Sequence, residues 1–141
     1  MQSANCKMIN EESELSGNER KLLTPSDLSE RFLDFADRIA TVVESLPETR
    51  LGRRIADQLL RSGTSPLGNY EEACAAESKA DFAHKLRICL KEVRESRAWL
   101  QLVSRRSLLP AARLEDLIDE ADQLARILGK SIATARGVPK K

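Results

Sequence analysis

The apolar residues of this 141-residue chain recur in four long stretches at alternating steps of three and four. This spacing puts them on one face of an α-helix, which turns once every ~3.6 residues. The apolar face of the first stretch consists of Leu28, Phe32, Phe35, Ile39, Val42 and Leu46. Pro25-Ser26-Asp27 is typical of a helix start, and a proline ends a helix. The first helix is therefore predicted between that tripeptide and Pro47.

A second helix is predicted to begin near Thr49, with a proline in its interior. Pro66 has no amide hydrogen to donate to the carbonyl of Ser62. A kink or a break near Ser65 is therefore expected. The helical pattern resumes beyond the proline and continues to about Ala76.

The third and fourth helices have the most regular apolar spacing. Ser78-Lys79-Ala80-Asp81 resembles a capping box and predicts the start of the third helix. Its a/d seam consists of Phe82, Leu86, Cys89, Val93, Ser96, Leu100 and Val103. After Pro110 the fourth helix presents Leu114, Leu117, Ala121, Leu124 and Leu128. The pattern predicts an all-α, antiparallel, up-down-up-down four-helix bundle with a Pro kink in helix 2, and no β-sheet.

Composition agrees with a single helical domain. The bundle is predicted over residues 26–136, with a flexible N-terminal tail at 1–25 and a C-terminal tail at 137–141. The sequence is 41% hydrophobic and 32% charged, and its net charge of +1 gives no global reason for a polyanion partner. Three cysteines without a CxxC pair favour structural thiols in a reducing compartment. Because no signal sequence and no 18-residue apolar run are present, a cytoplasmic protein without a membrane partner is expected.

The sequence shows little sign of catalytic chemistry. Asp81-x-x-His84 has the spacing of a di-iron bundle motif and contains the only histidine. Di-iron sites need two such motifs and further glutamates, so a solvated histidine is the simpler interpretation. A phosphate-binding glycine loop and zinc-ligand spacing are both missing. We expect no enzymatic activity, no catalytic residue, no metal and no cofactor.

The charge pattern of the third helix is more informative. Residues 79–106 contain eight basic and three acidic residues. Arg87, Lys91, Arg94 and Arg105 share one face of the helix, opposite the apolar seam. Such a strip without interleaved acids is suited to follow a phosphate backbone. Two other interpretations remain open: an ordinary solvated face, or pairing with acids of the first helix or of another subunit.

Polar residues also recur on the second and third helices where a simple bundle would have aliphatic ones. If the two helices fold back around Ser78, residues equally distant from it face each other. The resulting pairs are Glu72 with Lys85, Ser65 with Glu92, Arg61 with Ser96 or Glu95, and Gln58 with Trp99. The hypothetical network consists of Gln58, Arg61, Ser65, Asn69, Glu72, Lys85, Glu92 and Glu95. Buried polar groups must satisfy each other, so this network is predicted to fix the helix register at the kink.

The order of several short motifs resembles a known family. The motifs are Gln58-Leu59-Leu60-Arg61, Ser65-x-x-x-Asn69-Tyr70-x-Glu72-Ala73, Phe82-x-x-Lys85-Leu86 and Leu90-Lys91-Glu92-x-x-Glu95-x-x-x-Trp99-Leu100. From Leu28 to Leu128 the chain is similar to the bacterial four-helix-bundle proteins first noticed as reading frames in intervening sequences of 23S rRNA genes. A related group is the accessory variability protein of diversity-generating retroelements.

The resemblance implies an antiparallel bundle that assembles as a homopentamer. In the retroelement relatives it further implies nucleic-acid binding through basic surfaces and a reverse transcriptase as partner. This chain is less basic than those relatives, and Ala73 stands where many members have glycine. The favoured function is a non-enzymatic, self-associating scaffold with RNA or DNA contact through helix 3. The alternative is a nucleic-acid-binding accessory factor of a reverse transcriptase.

Overall fold

Four α-helices make up most of the protein in a computed structural model that describes residues 12–14, 20–22 and 24–137. They are α1 (Pro25–Ser45), α2 (Arg50–Cys74), α3 (Lys79–Arg105) and α4 (Glu115–Ala135). One 3₁₀ turn, Ala111–Arg113, precedes α4. The predicted all-helical class with four helices is confirmed for the bundle region.

A short β-ribbon precedes the helices. Strand β1 (Glu12–Glu14) pairs with β2 (Arg20–Leu22) in antiparallel register, with Ser13 opposite Lys21. The prediction of no sheet is wrong for these six residues. A three-residue ladder needs only backbone donors and acceptors and leaves no alternating apolar pattern to detect. The other residues of the predicted N-terminal tail up to 23, and residues 138–141 of the C-terminal tail, lie outside the described part of the chain.

Side chains cap the first three helices at their N-termini. Thr24 and Asp27 form a reciprocal capping box at α1, in which each side chain accepts from the other's backbone amide at 3.1 and 3.0 Å. Thr49 caps α2 and Ser78 caps α3, each accepting from the amide three residues further on. Each cap satisfies an amide that has no partner inside its helix, a contribution of about 1 kcal/mol.

The core contains the apolar faces that the spacing predicts. All six apolar residues of the α1 face and the whole seam of α3 are buried. The rings of Phe32 and Tyr70 pack with centroids 5.1 Å apart, and the Tyr70 hydroxyl donates to the carbonyl of Pro25 at 3.2 Å. These contacts fasten the start of α1 to the second half of α2.

Each helix packs against the next one along the chain. Late residues of α2 contact early residues of α3, as in the ion pair between Glu72 and Lys85 at 3.2 Å. Helix α1 also reaches α4, where the guanidinium of Arg31 donates to both carboxylate oxygens of Glu120 at 3.0 and 2.5 Å. These contacts link the first and last helices.

Helix α2 runs without interruption through Pro66, so of the two alternatives predicted there, a kink or a break, the break is not seen. Buried packing on both sides of the proline outweighs the one missing backbone hydrogen bond. Gly63 lies directly against Ile39 of α1, and the carbonyl of Pro66 accepts from the Cys89 thiol at 3.6 Å. The kink itself stays a prediction.

The two cysteines of the helical region differ. Cys89 is buried and free, and desolvation raises the pKa of its thiol to about 12. Cys74 is disulfide-bonded. The prediction of structural thiols therefore agrees with Cys89 and is wrong for Cys74.

Candidate nucleic-acid interface on α3

Four basic residues form an exposed stripe along α3. Arg87, Lys91, Arg94 and Arg105 are all exposed, and we call them the α3 stripe. Arg87 and Arg105 are eighteen residues apart in sequence, which corresponds to ~27 Å along the helix at ~1.5 Å per residue. In the described part of the chain no ion pair or side-chain hydrogen bond includes any of the four. The stripe therefore presents uncompensated positive charge to solvent.

Two carboxylates of α3 share one arginine of α2, which offsets one of their two negative charges and holds both side chains in ion pairs. Arg61 Nη1 lies 2.8 Å from Glu92 Oε2, and Arg61 Nη2 pairs with Glu95. Trp99 Nε1 also donates to Glu95, at 3.2 Å. The remaining acid of the helix, Asp81, lies in its first turn.

The acids of α1 do not compensate the stripe either. Asp34 pairs with Arg38 of the same helix at 3.7 Å, and the described ion pair from α1 to another helix ends on Glu120 of α4. Pairing with the first helix, one of the alternatives predicted from the sequence, is therefore not seen in these ion pairs. Solvation and contact with another subunit stay open.

The structure brings together part of the hypothetical polar network. Lys85 contacts Glu72, and Arg61 contacts Glu95, as the fold-back register predicts. Glu92 pairs with Arg61 instead of Ser65. The reason is length, because an arginine side chain reaches both carboxylates whereas a serine does not.

Two other network residues contact neighbours on their own helix. The Asn69 amide donates to the carbonyl and hydroxyl oxygens of Ser65, both at 3.0 Å. Gln58 Oε1 lies 3.5 Å from Arg61 Nη2 and has no described hydrogen bond to Trp99. Ser65 and Asn69 thus form a pair within α2 instead of joining α3.

A buried serine pair lies beside these ion pairs. Ser96 donates to Ser62 at 2.9 Å, and both residues are fully buried. The apolar spacing predicts Ser96 in the seam of α3 but does not indicate Ser62 as its partner. Together with Glu92, which is 8% exposed, this pair puts polar contacts inside the α2–α3 interface. Its role in fixing register stays a prediction.

A basic groove between α3 and α4 was missed by sequence reasoning. It has a volume of about 540 Å³, and the helices contribute two basic residues each. The basic residues are Arg94, Arg97, Arg126 and Lys130. The spacing Arg126-x-x-x-Lys130 shows that two of them share a face of α4. The spacing alone does not show which face of α3 packs beside this face of α4.

Other chemistry is sparse in the described residues. His84 is exposed in the first turns of α3. Nowhere in ranges 12–14, 20–22 and 24–137 do three His, Cys, Asp or Glu side chains group closely enough to hold a metal ion. Within the same ranges, each helix is too short or too polar to cross a membrane.

Comparisons with known proteins agree on a family. The family model described as 23S rRNA-intervening sequence protein matches residues 26–130. A crystal structure from Bacteroides thetaiotaomicron, of a protein of unknown function from the S23 ribosomal protein family, is 34% identical with a TM-score of 0.67. That alignment covers 72% of this chain and 94% of the other. No curated protein matches the chain. The chain belongs to the 23S rRNA-intervening sequence protein family.

Proposed function

We propose that this protein is a non-enzymatic, self-associating scaffold that contacts RNA or DNA through the α3 stripe. The supporting observation is an exposed line of four cations whose neighbouring carboxylates are already paired with Arg61. A polyanion that follows this line would release counterions from its phosphates without displacing any described ion pair. Arg61 thus already offsets part of the negative charge that Glu92 and Glu95 contribute to α3.

The proposed scaffold is an antiparallel, up-down-up-down bundle bent at Pro66. The antiparallel arrangement of α2 and α3 is supported by their contacts, in which an earlier residue of α2 meets a later residue of α3. Lys85 meets Glu72, and Ser96 meets Ser62. The bend is supported by the missing amide at Pro66 inside a continuous helix.

Self-association is supported by apolar side chains at the surface. Leu33 is 50% exposed, Leu60 43% and Leu51 37%, so α1 and α2 both present leucines that the monomer leaves partly in water. The family resemblance supports a homopentamer as the assembled state. Sedimentation equilibrium measures the subunit number directly, and a monomer at all concentrations would contradict the scaffold proposal.

The test of nucleic-acid contact is a salt titration with a short RNA duplex and a DNA duplex of the same sequence. Triple substitution of Arg87, Lys91 and Arg105 by alanine removes stripe charges and leaves the α3–α4 groove intact. Log K should fall with log salt by about 0.9 per phosphate neutralised in a duplex. The triple variant should therefore lose up to about 2.7 from that slope if all three residues contact phosphates.

A matched control variant loses the same number of positive charges, but at positions outside the stripe. Arg50, Arg54 and Arg136 are exposed residues on α2 and at the end of α4, and their triple alanine variant should bind like the unaltered protein. Equal loss in both variants would attribute binding to net charge alone. If neither duplex binds even at low salt, the nucleic-acid part of the proposal is refuted.

The accessory-factor alternative requires one further interaction besides the contact with nucleic acid. It needs a stable complex with a reverse transcriptase, in addition to salt-dependent binding of nucleic acid. Co-purification of the two proteins at a fixed ratio distinguishes it from the scaffold alone. Binding of nucleic acid without such a complex favours the scaffold.

A further inference from the structure

The groove between α3 and α4 differs from the α3 stripe in shape and in the arrangement of its hydrogen-bond donors. Four basic side chains and one acidic side chain surround it, whereas the stripe is an open helix face. Ala125 and Gly129 of α4 also line the groove, and neither has a bulky side chain to fill it. A space of about 540 Å³ bordered by two helices is large enough for a phosphate group with its attached sugar.

The single acid of the groove is already occupied. Asp122 is hydrogen-bonded to Arg126 of the same helix. This bond and the nearby positive charges hold the pKa of Asp122 below its usual range, so the carboxylate is ionised and paired. Its other oxygen, Oδ1, faces Arg97 in a longer ion pair, so one carboxylate is shared among four cations and the groove keeps excess positive charge.

Arg97 is left with an unused donor as a result. Its Nε lies 3.9 Å from Asp122 Oδ1, beyond hydrogen-bond distance. In the part of the chain that the structure describes, this nitrogen is buried without a hydrogen-bond partner. The Arg97 side chain as a whole is 41% exposed and lines the groove, so part of it faces the space that a ligand would occupy.

We propose that the α3–α4 groove binds a phosphate group of a nucleic-acid ligand, with Arg94 and Arg97 on one wall and Arg126 and Lys130 on the other. Arginine forks match phosphate oxygens in pairs, and Lys130 supplies a mobile point charge. Because Arg94 belongs to both surfaces, a strand that follows the α3 stripe can continue into the groove. This inference rests on the proposed function for its ligand.

Gly129 allows a test that does not disturb the fold. A Cβ at this position would meet nothing within 4 Å, and alanine or longer side chains favour a helix over glycine. Gly129→Glu puts a carboxylate into the groove, and Gly129→Gln puts a neutral side chain of the same shape there. Gly129→Glu should reduce the salt slope of duplex binding by at least about 0.9, whereas Gly129→Gln should change it little.

Two probes separate this inference from the proposed function. The first is the RNA duplex, and the second is inorganic pyrophosphate, measured by calorimetry with the full chain. Loss of duplex affinity in Gly129→Glu but not in Gly129→Gln supports the groove as a phosphodiester site. Pyrophosphate binding that Gly129→Glu abolishes, without any duplex binding, keeps the phosphate site but refutes the nucleic-acid function.

Two outcomes overturn the groove proposal. If Gly129→Glu binds the duplex as the unaltered protein does while the stripe variant fails, the stripe alone is the interface. If both glycine variants weaken binding equally, bulk and not charge is responsible, and the groove does not recognise phosphate. A protein that binds neither probe refutes both proposals together.

Discussion

Gly63 of α2 lies at a close contact with Ile39 of α1, and its replacement by alanine tests the packing of the bundle. A Cβ at Gly63 would lie 2.6 Å from Cγ2 and 2.7 Å from Cγ1 of Ile39. Carbon atoms prefer separations of about 3.5–4.0 Å. Ile39 is fully buried, so it cannot turn aside without moving its neighbours. The two helices must therefore separate to accept one methyl group.

The expected change in the free energy of unfolding is the sum of two opposing effects. Overpacking of a core costs about 1–3 kcal/mol, and contacts this short favour the upper end of that range. Replacing glycine by alanine inside a helix returns about 1 kcal/mol. Gly63→Ala should therefore lower the free energy of unfolding by about 2 kcal/mol. Gly68→Ala in the same helix meets nothing within 4 Å and should raise it by about 1 kcal/mol.

Urea unfolding of both variants measures the contrast, which should be about 3 kcal/mol. Ile39→Ala provides a second background, since it removes both of the nearest carbon atoms. In that background the nearest remaining atom of residue 39 is Cβ, 3.0 Å away, so most of the clash is removed and Gly63→Ala should stabilise the protein by filling part of the new cavity. Equal stabilisation by Gly63→Ala and Gly68→Ala, or an unchanged effect in the Ile39→Ala background, would refute the close contact of α1 and α2.

Two further predictions concern buried ionisable groups. Glu92→Gln should lower the free energy of unfolding in urea by about 1 kcal/mol, because Arg61 is half exposed and regains water when its partner loses charge. An unchanged unfolding midpoint would show that the ion pair adds nothing to stability. The pKa of Cys89 is about 12 in the folded protein and near 8.5 in an unfolded chain. Between pH ~9 and ~10 the unfolded state therefore loses its proton first, and stability should fall by about 1.4 kcal/mol per pH unit. Cys89→Ala should remove that decline, and identical pH slopes in the two proteins would argue against a shielded thiol.

The sequence was sufficient to predict the helices and most of their core. Prolines, caps and apolar steps of three and four are local signals, so Pro47, Thr49 and Ser78 indicate helix ends without knowledge of the fold. The a/d seam of α3 is buried along its whole length, because one apolar face on a helix of this length has to be covered. These features depend on neighbours within a turn or two.

Features that depend on distance between helices could not be predicted in the same way. The approach of Gly63 to Ile39 and the pairing of Arg31 with Glu120 depend on how the helices cross. In the fold-back register Glu92 faces Ser65, because that register depends on backbone positions alone and not on the reach of Arg61. The α3–α4 groove was missed for the same reason, because no sequence pattern shows which faces of two helices adjoin.

The double contact of Arg61 has a consequence for how ligands act on the bundle. Arg61 pairs with Glu92 and Glu95 only while α2 and α3 keep their present alignment. Sliding one helix by a single turn, ~5.4 Å, would break both ion pairs and leave the two carboxylates without their shared cation. A polyanion bound to the stripe as proposed would therefore have higher affinity for the aligned state, and by thermodynamic linkage it would stabilise that alignment. The alignment of α2 with α3 and the affinity of the stripe for a polyanion are therefore coupled through Arg61.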